Sequence, residues 1–268
     1  MTDAALLSLA EAWEAARAAE PHARPRDVAK RLGVSEGALA EARVGGGFRR
    51  LAGTGPALGR IAQALPGLDR VMTLTRNDAA VHETKGRAGA AEVEGGMGQT
   101  TGEIDLRVFP GRWRAAYAAE EAARSGLRRS IQIFTASGEA ALKIYAEEGT
   151  DGDAWAALTA EESEAPVAFD LAPAPKADRP DAEIDVAKLR AGWGALGHTH
   201  DFHRLLIETR VGRLQALRLA GADYARPARE GATDLLLRGA AAAGTKIMCF
   251  VSNPGCIQIY SGPVERIV

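Results

Sequence analysis

Cysteines and long apolar runs are scarce in this chain of 268 residues. Two cysteines, Cys249 and Cys256, are too few for the disulfide framework of a small secreted protein. The sequence has no run of about 18 apolar residues, so we expect no transmembrane helix. Residues 1–16 lack the cationic start and apolar core of a secretory signal. Together these absences predict a cytoplasmic protein.

The chain also lacks a charge excess, with a net charge of −2 at pH 7. One segment, "RPRDVAKRLGVSEGALAEARV" (24–44), indicates two short helices joined by a turn at Gly33, with Ser35 as an N-cap. This pattern fits either a helical hairpin packed on a sheet or a DNA-reading helix-turn-helix. Because no strongly basic recognition face accompanies it, we expect no nucleic-acid partner.

The remaining pattern predicts an α+β protein whose sheet is largely antiparallel. Helical patterns cover 4–19, 57–64, 151–161 and the start of 182–210. Alternating, β-rich segments predict strands at 71–86 (around a turn at Asn77 and Asp78), 103–109, 128–147 and 245–262. The Ala-rich segment 112–124 fits either a helix or a bulged strand.

Two of the strand pairs align without gaps, which predicts a tandem duplicated domain. "VMTLTRNDAAVHETKG" (71–86) lies over "IMCFVSNPGCIQIYSG" (247–262), so that Met72 meets Met248 at an offset of 176 residues. At the same offset Asn77 meets Asn253 and Gly86 meets Gly262. We therefore predict that each half is a largely antiparallel β-sheet preceded by helices.

The offset also predicts the boundaries of the halves. The first repeat covers 1–161, the proline-rich segment 162–181 is a linker, and the second repeat covers 182–268. The strands at 103–109 and 128–147 have no counterpart in the second half, which we therefore expect to be truncated. Because an incomplete sheet exposes an edge and apolar surface, we expect this half either to be less stable or to pair in a homodimer.

The clearest functional signal is "GHTHDFHRLL" (197–206), which holds three of the five histidines. On a helix His200 and His203 are three residues apart and share a face, beside Phe202 and Leu206, while His198 points elsewhere. The spacing is not that of an HExxH zinc motif. Residue pattern alone leaves a solvated surface, a metal site and a haem site open.

Two further residues have a structural and a functional interpretation. Arg107 lies between apolar residues in a strand, with Asp105 two places back on the same face. It is either part of an ion pair or a cation facing a ligand. His82, beside Glu83, is either a hydrogen-bonded strand histidine or a ligand.

Several segments together resemble the haemin-degrading factor family of HemS/ChuS type, cytoplasmic proteins of bacterial haem uptake. They are "LTRNDAAVHETKG", "EIDLRVFPGRW", "RRSIQIFTASGEAALKIY", "THDFHRLL", "RLQALRLA" and "IMCFVSNPGCIQIYSGPVE". The resemblance implies a duplicated α+β fold that binds one haem in a cleft between its halves. Members of the family normally continue past the equivalent of Val268.

The resemblance also implies roles for individual residues. His200 would ligate the haem iron and Arg107 would lie over the distal face of the haem. The other implied contacts are Phe109 near the porphyrin, Arg213 near the propionates and His203 as an alternate ligand. The functional interpretation of His82 is then an accessory haem site.

Three functions follow as alternatives from this resemblance. The first is an enzyme that opens haem with O₂ and an electron donor whose identity the sequence does not give. The second is a carrier that shields haem and delivers it to a partner, either a haem-uptake transporter or a haem oxygenase. The third is a truncated relative with weak or no haem binding.

Overall fold

The β-rich segments fold into strands in the computed structural model, which describes residues 3–21, 23–123, 126–170, 177–197 and 201–267. The strands are β1 (Phe48–Arg50), β2 (Asp69–Arg76), β3 (Val81–Glu94), β4 (Met97–Gly102), β5 (Asp105–Val108), β6 (Trp113–Ala123), β7 (Gly126–Thr135), β8 (Ala140–Thr150), β9 (Lys246–Asn253) and β10 (Cys256–Pro263). Within the described residues they form one ten-stranded sheet in the order β1-β6-β7-β8-β2-β3-β4-β5-β10-β9.

The helices also follow the predicted pattern and confirm the α+β class. Those before and among the first strands are α1 (Asp3–Ala19), α2 (Pro25–Arg31), α3 (Glu36–Ala42), α4 (Gly59–Ala64) and α5 (Gly152–Leu158). Those of the second half are α6 (Val186–Gly194), α7 (Asp201–Thr209), α8 (Arg213–Leu219) and α9 (Ala232–Ala243). Ser35 accepts a hydrogen bond from the backbone of Ala38 and so caps α3 as predicted.

The ambiguous segment 112–124 contains strand β6, and its register with β7 shifts between Trp113 and Ala115. Of the two interpretations offered by the sequence, the bulged strand is therefore the correct one. Alanine favours helices intrinsically, but here Ala116 and Ala118 are buried in the sheet core beside Ile131 and Ile133. Tertiary packing overrides the helix propensity of this segment.

The chain forms two compact units. The first comprises the described residues of Met1–Pro173 and Lys246–Gly262, and the second those of Ala174–Thr245 and Pro263–Val268. Strands β9 and β10 thus belong to the first unit, where Ile257 of β10 pairs with Arg107 of β5. The predicted second repeat includes the hairpin β9–β10, but in the structure this hairpin extends the sheet of the first unit. The two compact units therefore do not coincide with the two predicted halves.

The predicted linker is also partly ordered against the first unit. Glu162 forms a bridge to Leu51, and the backbone of Val167 donates to the carboxylate of Glu41 at 3.2 Å. The ring of Phe169 lies 6.2 Å from that of Phe134. The prolines indicated an irregular segment, but they did not reveal the apolar side chains that attach it to the core.

Two asparagines join the hairpins β2–β3 and β9–β10 in a reciprocal way. The side-chain oxygen of Asn77 accepts from the backbone of Ala79 and Ala80, and that of Asn253 accepts from Gly255 and Cys256. The side-chain amide of Asn77 donates to the backbone carbonyl of Ser252 at 3.0 Å. The side-chain amide of Asn253 donates to the backbone carbonyl of Arg76 at 3.1 Å. Each asparagine therefore shapes its own turn and donates a hydrogen bond to a backbone carbonyl of the other hairpin.

A membrane-crossing helix would have to be both long and apolar, and none of the helices in the described ranges meets both conditions.

Candidate functional site

Strand β5 presents Arg107 on a half-exposed face of the sheet. Leu106 and Val108 alternate with it and are fully buried, whereas the Arg107 side chain is 26% exposed. Its Nη1 donates to a carboxylate oxygen of Asp105 and, at 3.0 Å, to the carbonyl of Leu106. Nε and Nη2 have no partner among the described residues, so Asp105 orients the guanidinium while two donor groups remain available to a ligand.

Phe109 follows directly after β5 and is half-buried. Its backbone donates to the carbonyl of Gly255 at 3.1 Å, which ties it to the turn between β9 and β10. Because Phe109 lies two residues beyond Arg107 in the chain, these two predicted residues are close together at the end of β5. A ring and a cation side by side can contact the apolar and polar parts of one ligand.

His82 lies on β3 within a closed set of hydrogen bonds. Its Nδ1 is 3.3 Å from the carbonyl of Gln258, which can only accept, so we assign the proton to Nδ1. Nε2 then accepts from the hydroxyl of Thr84 at 3.1 Å, and this hydroxyl accepts from the Gln258 amide at 2.9 Å. Ligation of a metal through either nitrogen would break one of these bonds. The arrangement is that of a hydrogen-bonded strand histidine.

Burial lowers the pKa of His82, although the hydrogen bond to the Gln258 carbonyl opposes this shift. The unfolded chain therefore takes up a proton near pH 6.5 before the folded chain does. We expect the free energy of unfolding to be highest above pH 6.5 and to fall as the pH is lowered from 7 to 5. Urea unfolding at both pH values should show a smaller fall in His82→Gln, with His203→Gln as the control. Equal falls in the free energy of unfolding of the wild type and His82→Gln would show that His82 does not cause the loss of stability at low pH.

In the second unit, Arg213 and His203 lie on neighbouring helices. Arg213 is the first residue of α8, and its guanidinium lies 5.5 Å from the ring centroid of Phe202 on α7. Phe202 also packs against Trp193, with ring centroids 4.8 Å apart. Leu206 is buried in this cluster. His203 is exposed and so lies beside the buried stripe of α7 rather than in it.

His198 and His200 lie outside the described residues, so the structure gives no geometry for the predicted iron ligand. In the described ranges, no three His, Cys, Asp or Glu side chains are grouped closely enough to hold a metal ion.

The sequence did not single out Gln258 and Thr84, which hold His82 in place. Gln258 is buried, and its side-chain oxygen has no hydrogen-bond partner within the described part of the chain. A signal for this network was present, because the offset of 176 that aligns the two strand pairs places His82 on Gln258.

Comparison with known proteins agrees with the predicted resemblance. The haemin-degrading HemS.ChuX domain matches residues 33–161 and 210–268. The hemin transport protein HmuS of Yersinia pestis is 35% identical over 264 residues, which cover 97% of this chain and 75% of that protein.

Solved structures give the same result. Holo-PhuS, a heme-binding protein from Pseudomonas aeruginosa, is 41% identical with a TM-score of 0.87, covering 96% of this chain and 76% of that one. The heme degrading enzyme ChuS of Escherichia coli O157:H7 is 30% identical with a TM-score of 0.87, covering 98% of this chain and 77% of that one. The chain belongs to the haemin-degrading HemS/ChuX family.

Proposed function

We propose that this protein binds haem in bacterial haem uptake and iron acquisition, with His200 as the iron ligand and Arg107 over the distal face. The observation that carries the proposal is the 41% identity, over 96% of the chain, to a protein described as heme-binding. A neutral imidazole is a common axial ligand of haem iron. Phe109 and Arg213 would contact the porphyrin and its propionates, and His203 is the alternate ligand. His82 would be no more than an accessory site.

Arg107 supports this proposal through its geometry. A guanidinium remains charged at neutral pH, so it donates hydrogen bonds and cannot act as an acid. Asp105 holds Nη1, and the remaining donors can stabilise negative charge that develops on a distal ligand. Protons needed for any chemistry would therefore come through water.

We expect Arg107→Ala to weaken haemin binding about tenfold, because one charged hydrogen-bond donor is lost. The visible spectrum of the haemin complex should also shift, and Arg107→Lys should restore part of the affinity. Haemin titration followed by absorbance measures both. Arg87→Ala is a matched control, because Arg87 is also a strand arginine paired with an aspartate, Asp69. An Arg107→Ala protein with wild-type affinity and spectrum would remove Arg107 from the site.

Oxidative opening of haem to release iron and carriage of haem without chemistry are the two candidate functions, and the 35% identity to a protein named hemin transport protein supports carriage. Oxidative opening rests on the 30% identity to an enzyme described as heme degrading. In either case the protein supplies one ligand, one distal cation and a shaped cleft, while the reactivity belongs to the haem.

An electron donor separates the two functions. The haemin-loaded protein is mixed with ascorbate in air, with catalase present because free peroxide bleaches haem without an enzyme. A Soret band that persists supports a carrier. Bleaching in the presence of catalase, with release of iron, supports an enzyme and contradicts carriage alone.

We also propose that the two halves arose by duplication. The reciprocal contacts of Asn77 and Asn253 support this, because the same side-chain oxygen shapes equivalent turns 176 residues apart. The cytoplasm remains the proposed location.

The proposed partners are a haem-uptake transporter or a haem oxygenase that receives the haem.

We also propose a homodimer, supported by the exposed apolar side chains of Leu235 and Leu236 of α9, which are 52% and 63% exposed. Light scattering would test it, and a monomer at all concentrations would contradict it.

A further inference from the structure

Strand β9 is the last strand of the sheet in the described part of the chain, with β10 on its inner side. The outer edge of a terminal strand presents backbone groups that can pair with a further strand, and proteins commonly protect such edges by keeping them short or charged. β9 has eight residues, and its only charged side chain is Lys246 at its start. This edge is therefore long and weakly protected.

The internal repeat shows what covers an edge of this kind. The counterpart of β9 at the offset of 176 is β2, which has the antiparallel strand β8 beside it. Met72 of β2 lies opposite Tyr145 of β8 and is 8% exposed, whereas its counterpart Met248 is 51% exposed. A neighbouring strand thus buries this position in one hairpin, and the same position is exposed in the other.

The exposed side chains of β9 lie on both faces of the strand. Met248 and Phe250 are 51% and 43% exposed on one face, and Cys249 is exposed on the other. A strand that pairs with this edge would contact these side chains from both sides of the sheet. Exposed apolar residues on a terminal strand favour association with another chain.

The sequence of β9 indicates which chain, because "KIMCFVS" (246–252) is self-complementary about Cys249. Residues at equal distances from Cys249 belong to one class: polar Lys246 and Ser252, β-branched Ile247 and Val251, and large apolar Met248 and Phe250. Two antiparallel copies related by a twofold axis at Cys249 would place each residue opposite its own class. Every apolar side chain would then meet an apolar side chain, which favours a second copy over an unrelated strand.

The backbone geometry of the hairpin determines how the two Cys249 residues would meet. β9 ends at Asn253 and β10 begins at Cys256, and a hairpin with a two-residue turn closes with a hydrogen-bonded pair at these positions. Every second residue of β9, including Val251 and Cys249, then directs its backbone groups towards β10. Across the outer edge, the two Cys249 residues would therefore form a non-hydrogen-bonded pair, in which side chains lie closest.

We propose that two copies of this chain pair antiparallel through their β9 strands, with Cys249 on the twofold axis. The inference rests on the proposed homodimer and assigns its contact surface. Each copy adds a strand to the sheet of the other, so that both outer edges are covered and the exposed apolar side chains of β9 gain partners.

Crosslinking with diamide tests this register. Diamide oxidises two thiols to one disulfide and takes up the two hydrogen atoms itself. Cα atoms of a non-hydrogen-bonded pair lie about 4.5 Å apart, within the roughly 4.4–6.8 Å that a disulfide spans. We expect a covalent dimer from the wild type and none from Cys249→Ser, because the remaining Cys256 is buried.

The control for the crosslink moves the thiol along the same strand. In Cys249→Ser combined with Ser252→Cys, the new thiol would lie six residues out of register with its symmetry mate, about 20 Å away. We expect this variant to form at least about tenfold less covalent dimer than the wild type. Equal crosslinking of the two proteins, or no crosslinking of the wild type, would overturn the proposed register.

Met248→Lys tests the contact itself, because it places a charge near the centre of the interface in both copies. We expect the dissociation constant of the dimer, measured by sedimentation equilibrium, to rise at least about tenfold. Met97→Lys is the matched control and should dimerise as the wild type does. Met97 is 60% exposed, but it lies on β4, in the interior of the sheet order.

Two results of the sedimentation experiment would overturn the proposal. One is a wild-type protein that stays monomeric at all concentrations. The other is a dimer that survives Met248→Lys but dissociates in Leu236→Lys, since its contact would then lie on α9. Should Met248→Lys fail to fold, the crosslink decides, because it uses the wild-type strand. Haemin titration of the same samples is a separate readout, so a monomer that binds haemin overturns this proposal alone.

Discussion

Replacing His200 with alanine is expected to abolish the histidine-ligated haemin spectrum and to weaken haemin binding by about a hundredfold or more. Loss of a hydrogen-bonding partner of a metal ligand typically costs roughly 10- to 100-fold, and loss of the ligand itself should cost at least as much. Absorbance titration with haemin measures the affinity, and the Soret maximum reports the ligand.

The neighbouring histidines are the matched controls for His200→Ala. His198→Ala should bind as the wild type does, and His203→Ala should lose little, because His203 is exposed on α7 beside the buried stripe. If His200→Ala keeps the wild-type spectrum while His203→Ala loses it, the ligand is His203. If both single variants and the double variant keep it, neither histidine ligates the iron.

Asn253→Ala is expected to lower the free energy of unfolding of the first unit by about 3 kcal/mol. The two N–H groups of the Asn253 amide are shared among the carbonyls of Arg76, Ala140 and Ala141, and its side-chain oxygen accepts from the backbone of Gly255 and Cys256. Alanine would remove all five bonds, leaving groups of a half-buried turn without partners. For a domain of this size, a loss of this magnitude corresponds to a fall in Tm of roughly 6–12 °C.

Asn77→Ala is the matched control for Asn253→Ala. Asn77 makes the equivalent turn, but its side chain has three bonds, to Ser252, Ala79 and Ala80. We expect Asn77→Ala to lower the free energy of unfolding by less than half as much as Asn253→Ala does. Calorimetry measures the Tm of both variants. Equal falls in the free energy of unfolding would show that the hydrogen bonds from Asn253 to the carbonyls of Ala140 and Ala141 do not stabilise the protein. An unchanged Tm in Asn253→Ala would show that the hairpin β9–β10 is held by strand pairing alone.

Much of the fold could be predicted because the pattern and the packing agree. The alternating segment 71–86 became the hairpin β2–β3, with its turn where Asn77 predicted it. The strand 97–102 was missed, because "MGQTTG" contains few β-branched or apolar residues and shows no period of two. The register of β4 is set by its neighbouring strands, where Gln99 lies opposite Glu92 of β3 and Arg107 of β5. The sequence of β4 alone does not contain this pairing.

The candidate site was predictable only in part. The family resemblance indicated Arg107, and the structure adds that Asp105, two residues back on the same strand, accepts a hydrogen bond from it. The sequence pattern gave two interpretations of His82, and the structure shows that its Nδ1 contacts the carbonyl of Gln258, 176 residues away, while its Nε2 contacts the hydroxyl of Thr84.

Binding of haem iron through an imidazole of this chain can be tested by titrating the wild-type protein with haemin. We expect a Soret shift that saturates at one equivalent with the spectrum of histidine-ligated haem. A titration with no shift, or with a shift that grows without saturation and lacks that spectrum, would contradict it.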